Sequence, residues 1–386
     1  MKYFSATTIF SGQEFFNEDS VIIVDAENKI VDVVSNELID NSNIQYFEGI
    51  ITPGFVNTHC HLELSHLKSV IPQHRGIVGF GLEIIKQRND LPVEKQQELM
   101  LQADKAMYDA GIVLVGDISN TTNSIQAKKQ SKIIYHTFVE LMGLNPTRAD
   151  EVFDKGREVL TQFIIKDLSA SFAPHAPYST SPQLINYISS WCKQAKQATS
   201  IHNQESQAEN DFFETKTGDY LKLYEALNIP LDFFEATKKT SLQIVLPFFN
   251  ADVNTLLVHN TFTSPADIEI AQQQLANLYW CLCPKANQYI ENTLPPINLL
   301  LNHRCAITLG TDSLASNNSL SIMDEINVLV KHFPTIKLEQ LLQAATYNGA
   351  QFLNQLTNFG SIEKNKQPGL NLLTKVNNEY QVQKII

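Results

Sequence analysis

From Phe55 onward the chain alternates short β-type apolar runs with helical stretches, and no other feature limits its fold so tightly. The runs are Phe55–His61, Ile112–Val115, Lys132–Val139, Ser169–Ala173, Ala198–His202, Thr255–His259, Leu278–Cys283 and Cys305–Gly310. Helical periodicity fills most of the gaps. Between Val93 and Ala110, the residues Leu99, Ala103, Ala106, Met107 and Ala110 share one face, and Gly111 suits a left-handed cap. Further helices are predicted near 148–164 and from about Pro182 to Gln197, and a later one carries Ile322, Ile326, Leu329 and Val330 on one stripe. A strand that returns through a helix lies parallel to its predecessor. Eight such units predict an α/β fold, a (β/α)8 TIM barrel over residues 54–359.

The ends of the chain read differently. Ser20–Asp25 and Lys29–Val34 flank a short hairpin loop, and Leu370–Leu373 and Tyr380–Ile385 also have strand character. Residues 1–53 plus 360–386 are therefore expected to form one small β-sandwich-like domain. Within the barrel region an aromatic, mostly helical insertion spans 206–250, with Phe212, Phe213, Tyr220, Tyr224, Phe233 and Phe234. Two readings stand for it: a cap that stacks a planar base, or plain helix core.

Composition narrows the partners. A net charge of −12 over 386 residues argues against nucleic acid and anionic membranes, but not against a small substrate in a cleft. The five cysteines are odd in number and scattered, so they make no disulfide framework. Cys281-Leu-Cys283 lacks a second pair and reads as small apolar strand residues. The first residues build no signal-peptide core, and no apolar run reaches membrane-spanning length. The expectation is a soluble, cytoplasmic protein.

Chemistry concentrates in Thr52-Pro53-Gly54-Phe55-Val56-Asn57-Thr58-His59-Cys60-His61. On a strand, positions i and i+2 face the same way, so His59 and His61 converge. Alone, such a pair is as well explained by hydrogen-bonded strand histidines. Three more segments place a metal-ligating residue type at a strand end: His202 before Asn203-Gln204-Glu205, His259 before Asn260, and Asp312 after Leu309-Gly310-Thr311. All lie at C-terminal strand ends, the catalytic face of parallel barrels. Each also has a structural explanation: a satisfied core histidine, a turn aspartate, a solvated loop glutamate.

The segments PGFVNTHCHLELSHL (53–67), APHAPYSTSP (173–182), IHNQES (201–206), VHN (258–260), CPKAN (283–287) and GTDSLASNNSL (310–320) run in order across the barrel region. In these the chain resembles the amidohydrolase superfamily. The similarity is to its branch of chlorohydrolases, adenosylhomocysteine and methylthioadenosine deaminases, and aminofutalosine deaminase. The resemblance implies one divalent metal held by His59, His61, His202 and Asp312. Zn2+ suits this ligand set first, with Fe2+ or Mn2+ as alternatives. Binuclear relatives carry a bridging lysine after the fourth strand, where this chain has Phe172-Ala173-Pro174-His175, so one metal is expected. It further implies Glu205, His259 and Asp312 as catalytic groups, with Glu205 shuttling a proton, His259 orienting water and Asp312 accepting its proton. His175, Glu63, Arg148 and Ser316 are the expected substrate contacts. Lys285 stands where relatives often have Arg, and Asn365–Leu370 departs from the usual closing segment.

The function so implied is hydrolytic deamination of a purine-type nucleoside or heterocycle with release of ammonia. The substrate would be a small molecule, and a homodimer is the implied assembly. An alternative keeps the metal and changes the bond, as in a chlorohydrolase, iminohydrolase or amidase. A non-catalytic binding barrel is the third reading, and it predicts no metal and no activity lost at Glu205.

Overall fold

A computed structural model describes residues 1–386, apart from the side chain of Asn41. Four strands open the chain: β1 (Lys2–Ile9), β2 (Ser20–Val24), β3 (Ile30–Ser35) and β4 (Ile44–Pro53). Eight follow: β5 (Phe55–Cys60), β6 (Ile112–Ser119), β7 (Ile134–Leu141), β8 (Ser169–Pro174), β9 (Thr199–Asn203), β10 (Thr255–His259), β11 (Leu278–Leu282) and β12 (Ala306–Leu309). The last two are β13 (Leu370–Val376) and β14 (Glu379–Lys384).

The terminal strands form one six-stranded sheet in the order β14-β13-β4-β1-β2-β3. Only β1 and β4 run parallel in it. In its hydrogen bonding, then, the expected sandwich-like unit is a single continuous sheet. Phe4, Ile22, Ile30, Ile51 and Leu370 supply its apolar core. The divergent segment near Asn365 belongs here, since Asn365 N and Ile30 N donate across to Ile30 O and Lys366 O at 2.8 Å.

The central strands make two parallel sheets, β5-β6-β7-β8 and β9-β10-β11-β12. Residues of β5, β6, β9, β10 and β11 are buried throughout, as expected when both faces of a parallel sheet are covered. Hydrogen bonds link the outer strands at both seams. His202 N donates to His175 O at 3.0 Å beside β8 and β9. Asp312 N donates to His59 O at 3.1 Å, next to a parallel bridge between Cys60 and Asp312. Gly310 permits that approach, because a Cβ there would lie 2.8 Å from the His59 Cβ.

Helices follow most strands, with local reasons for their ends. The helix Val93–Asp109 stops before Gly111, at φ +80°. Pro182–Ala195 starts on Ser181, whose side chain accepts from Leu184 N, with Pro182 in the first turn. The strand expected over Lys132–Val139 instead runs Ile134–Leu141, which adds Glu140 to its C-terminal end. The 206–250 insertion holds helices Gln207–Thr215, Tyr220–Ala226 and Ser241–Val245. No helix among the described residues is long and apolar enough to cross a membrane.

Candidate active site

At the C-terminal end of β5 the strand alternation turns His59 and His61 inward together, with their Nε2 atoms 3.1 Å apart. His202, at the end of β9, brings its Nε2 to 3.2 Å from that of His61. Asp312 follows β12 with φ +53°, and its Oδ1 lies 3.6 Å from His59 Nε2 and 3.4 Å from His61 Nε2. A tetrahedral zinc with bonds of about 2.0–2.1 Å spaces its ligand atoms about 3.3 Å apart. His59, His61 and His202 form one set of three that could hold a cation, and His59, His259 and Asp312 form a second that shares His59.

Protonation agrees. Burial lowers the pKa of His59 and takes that of His202 well below the usual range, so both rings are neutral and offer lone pairs. For Asp312 burial pushes upward, but the His59 contact and the nearby His61 and His259 outweigh it and hold the carboxyl well below the usual range. His202 Nδ1 lies 2.7 Å from His175 O, a pure acceptor, which fixes the proton on Nδ1 and frees Nε2. Ser316 Oγ is 2.5 Å from Asp312 Oδ2 and orients the carboxylate.

Glu205 is buried beside this cluster, its Oε1 3.5 Å from His259 Nε2. Burial, reinforced by the charges of Asp312 and Glu209, raises its pKa well above the usual carboxylate range. The same burial favours the neutral carboxyl over the carboxylate, the form that a proton donor needs. Glu209 holds the turn that carries it, accepting from Gln204 N at 3.1 Å and Glu205 N at 3.3 Å while Gln204 sits at φ +45°. Burial drives His259 down to about 3. Asn287 Nδ2 donates to its Nδ1 at 3.2 Å, leaving the proton on Nε2, toward Glu205. His259 and Asp312 both occupy left-handed backbone (φ +76° and +53°), strain of the kind stored at functional strand ends.

These groups open into a cavity of about 620 Å3, within the size range of small-molecule sites. Its walls beyond the polar end are largely apolar, with Ile77, Phe80, Ile84, Leu144 and Ile229 among them. The insertion supplies both core and cavity wall. Phe212 and Phe213 pack as core with Tyr178, whereas Tyr220 and Tyr224 also line the cavity.

The expected substrate contacts divide. His175 lines the cavity. Arg148 reaches its rim but is exposed and paired with Glu151 at 3.1 Å. Glu63 is a correction: its carboxylate turns away to Thr121 Oγ1 at 2.8 Å and Asn120 N at 3.1 Å, facing a separate polar cavity. The cause is the 3-10 segment Leu62–Leu67, which breaks the alternation that carried the two histidines inward. Ser316 is likewise corrected from substrate contact to buried support of Asp312. Lys285 ties down the loop after β12, with Nζ 2.6 Å from Asn318 Oδ1.

Sequence reasoning missed four participants. Glu140 lines the cavity with a buried carboxylate. Its available signal is a lone acid inside the apolar run Phe138-Val139-Glu140-Leu141. Glu209 and Asn287 support Glu205 and His259 and carry no local signal. Asp117 accepts from Leu62 N at 2.8 Å, just past the ligand pair, and is paired at 2.7 Å with Lys128, both side chains fully buried.

Residues 50–386 match the family model described as "Amidohydrolase family". An adenosine deaminase of Helicobacter pylori is 27% identical over 333 residues, covering 85% of this chain and 80% of that protein. An aminodeoxyfutalosine deaminase of a Nitratiruptor species is 25% identical over 345 residues, covering 86% of this chain and 82% of that one. Among solved structures, Helicobacter pylori aminofutalosine deaminase in complex with methylthio-coformycin superposes with a TM-score of 0.83 at 23% identity, covering 100% of both chains. A zinc-bound atrazine chlorohydrolase of Arthrobacter aurescens TC1 gives a TM-score of 0.74 at 16% identity, covering 96% of this chain and 86% of that one.

Proposed function

This chain belongs to the amidohydrolase family and is a hydrolase of carbon–nitrogen bonds, and from that premise we propose that it deaminates a purine-type nucleoside or heterocycle, releasing ammonia. One observation carries the reading: a buried Glu205, its pKa raised by burial, stands 3.5 Å from His259 beside the converging donors His59, His61 and His202. Deaminase names among the relatives support it.

We read the two parallel sheets as one closed (β/α)8 barrel over 54–359, with 1–53 and 360–386 as the small domain. The hydrogen bonds at both seams support this. His59, His61, His202 and Asp312 would hold one divalent cation, Zn2+ by ligand type. When bound, such an ion acts as a Lewis acid and lowers the pKa of water from about 15.7 to about 7.

The side chains do the rest. His259 Nε2–H steadies the attacking water through a hydrogen bond. Asp312 takes one proton from that water as its oxygen bonds to the amine-bearing ring carbon. Glu205 gives its proton to the adjacent ring nitrogen, so the ring accepts the electron pair. Asp312 then passes its proton to the amino group, the carbon–nitrogen bond breaks, and ammonia leaves. The remaining hydroxyl proton returns to Glu205, leaving a carbonyl and a protonated ring nitrogen. Apolar walls exclude competing water.

The test is purified, zinc-loaded protein against adenine-type nucleosides and free bases, with chlorinated heterocycles and simple amides alongside, and ammonia, chloride and carboxylate release measured for each. Ammonia from a nucleoside supports the reading. Chloride or carboxylate release without ammonia would replace it with the alternative bond.

A further inference from the structure

Glu140 ends β7 with its side chain 2% exposed and lining the cavity. Its Oε2 accepts from Asn120 Nδ2 at 2.8 Å. Its Oε1 is buried and has no hydrogen-bond partner. The nearest cationic candidate, His202 Nδ1, is 3.7 Å away and already gives its proton to His175 O. Lys128 is committed to Asp117, Ser119 and Thr137. Among the described residues no lysine or arginine pairs with Glu140. A buried carboxylate oxygen is an acceptor only, and leaving it unpaired is costly. The site is therefore built for a ligand that brings hydrogen-bond donors.

Position says which donors. The His202 ring is 4.9 Å from that of His175 and 5.5 Å from that of His259, centroid to centroid. Glu140 Oε1 lies 3.7 Å from His202 Nδ1 and Glu205 Oε1 lies 3.5 Å from His259 Nε2, so the two carboxylates line one cavity beside different histidines. A base engaged by Glu205 and His259 has its amino group and ring nitrogen committed there, which leaves the hydroxyls of an attached sugar as the donors free for Glu140. The far walls are apolar, through Phe80, Ile84 and Leu144. On the reading that the substrate is a nucleoside, we propose that Glu140 is a substrate-binding residue that accepts from the sugar hydroxyls. Glu140 thereby selects ribonucleosides over deoxynucleosides and free bases.

Two measurements on zinc-loaded enzyme test this. Inosine and its 2′- and 3′-deoxy forms have no amino group to lose, so calorimetric titration reads their binding without turnover. Ammonia release from adenosine and its two deoxy forms is followed alongside. Wild type should favour the ribonucleoside over at least one deoxy form by roughly 10- to 100-fold, the scale of a hydrogen bond to a charged group. Glu140→Gln, which keeps an acceptor but loses its charge, should shrink that preference to under about tenfold while metal content stays unchanged, and it should weaken the ribonucleoside more than the deoxy form. Should Glu140→Gln fold poorly, Glu140→Asp withdraws the same oxygen by one methylene and should erode the preference too. Equal weakening of all three ligands, no discrimination by wild type, or no nucleoside binding each overturns the proposal. Binding that discriminates without any ammonia release upholds Glu140 and removes deamination instead.

Discussion

His202 Nδ1 donates to the main-chain carbonyl of His175 at 2.7 Å, and this bond aims the opposite nitrogen at His61. A carbonyl can only accept, so the tautomer is settled by the backbone of the neighbouring strand. The ligand cluster is thereby pre-set before any cation arrives. His202→Ala should lower zinc content at least tenfold after dialysis against a fixed free-metal level, read by elemental analysis. Chelator treatment of wild type should abolish turnover and lower Tm, and added zinc should restore both, because binding to the folded state alone stabilises it. Full activity in chelated, metal-free protein would refute the assignment of these ligands.

Glu205 stands apart from the metal donors yet shares their pocket. Glu205→Ala should keep its metal and its Tm while turnover falls by at least about 10²-fold, the scale of lost acid–base catalysis. Steady-state ammonia release together with metal analysis separates this outcome from simple metal loss. Near-normal turnover removes Glu205 from the mechanism.

The Asp117–Lys128 pair lies fully buried under the loop that follows His61. Removing one partner strands a charge in the interior. Lys128→Met should cost about 3–5 kcal/mol of unfolding free energy, measured by urea denaturation. A loss under about 1 kcal/mol would mean that the pair is replaceable.

His136 supplies a pH signature away from the metal donors. Ser171 Oγ spends its proton on Ala198 O at 2.7 Å, so His136 Nε2–H donates to Ser171 and Nδ1 accepts from Ser169. Burial, with the Lys128 charge, pushes its pKa down to about 4 from a usual value of about 6.5. The unfolded chain therefore binds the proton first. Stability from this residue is complete above about pH 6.5 and is lost as pH falls toward about 4. His136→Gln stays neutral, so its Tm should fall less than that of wild type between about pH 7 and about pH 5. Parallel Tm curves would exclude His136 as a source of acid sensitivity.

Much of this protein follows from local pattern. Strand period places His59 and His61 on one face, and eight β-then-α units imply parallel strands whose C-terminal ends meet. Helix ends were legible in Ser181-Pro182 and Gly111 for the same local reason. What escaped is direction where the period breaks. Glu63 and Glu140 are both acids at strand ends, yet only Glu140 faces the cavity. Glu63 follows a 3-10 turn that swings it onto the amides of Asn120 and Thr121. Glu140 lies on β7, extended two residues beyond its expected end. Supports such as Asn287 for His259 and Ser316 for Asp312 depend on which strand ends lie side by side. Sequence by itself determined which residue types recur at strand ends, because that depends on a period of two. Tertiary structure alone decided which of them share one pocket, and with which proton on which nitrogen, because those depend on contacts between segments far apart in the chain.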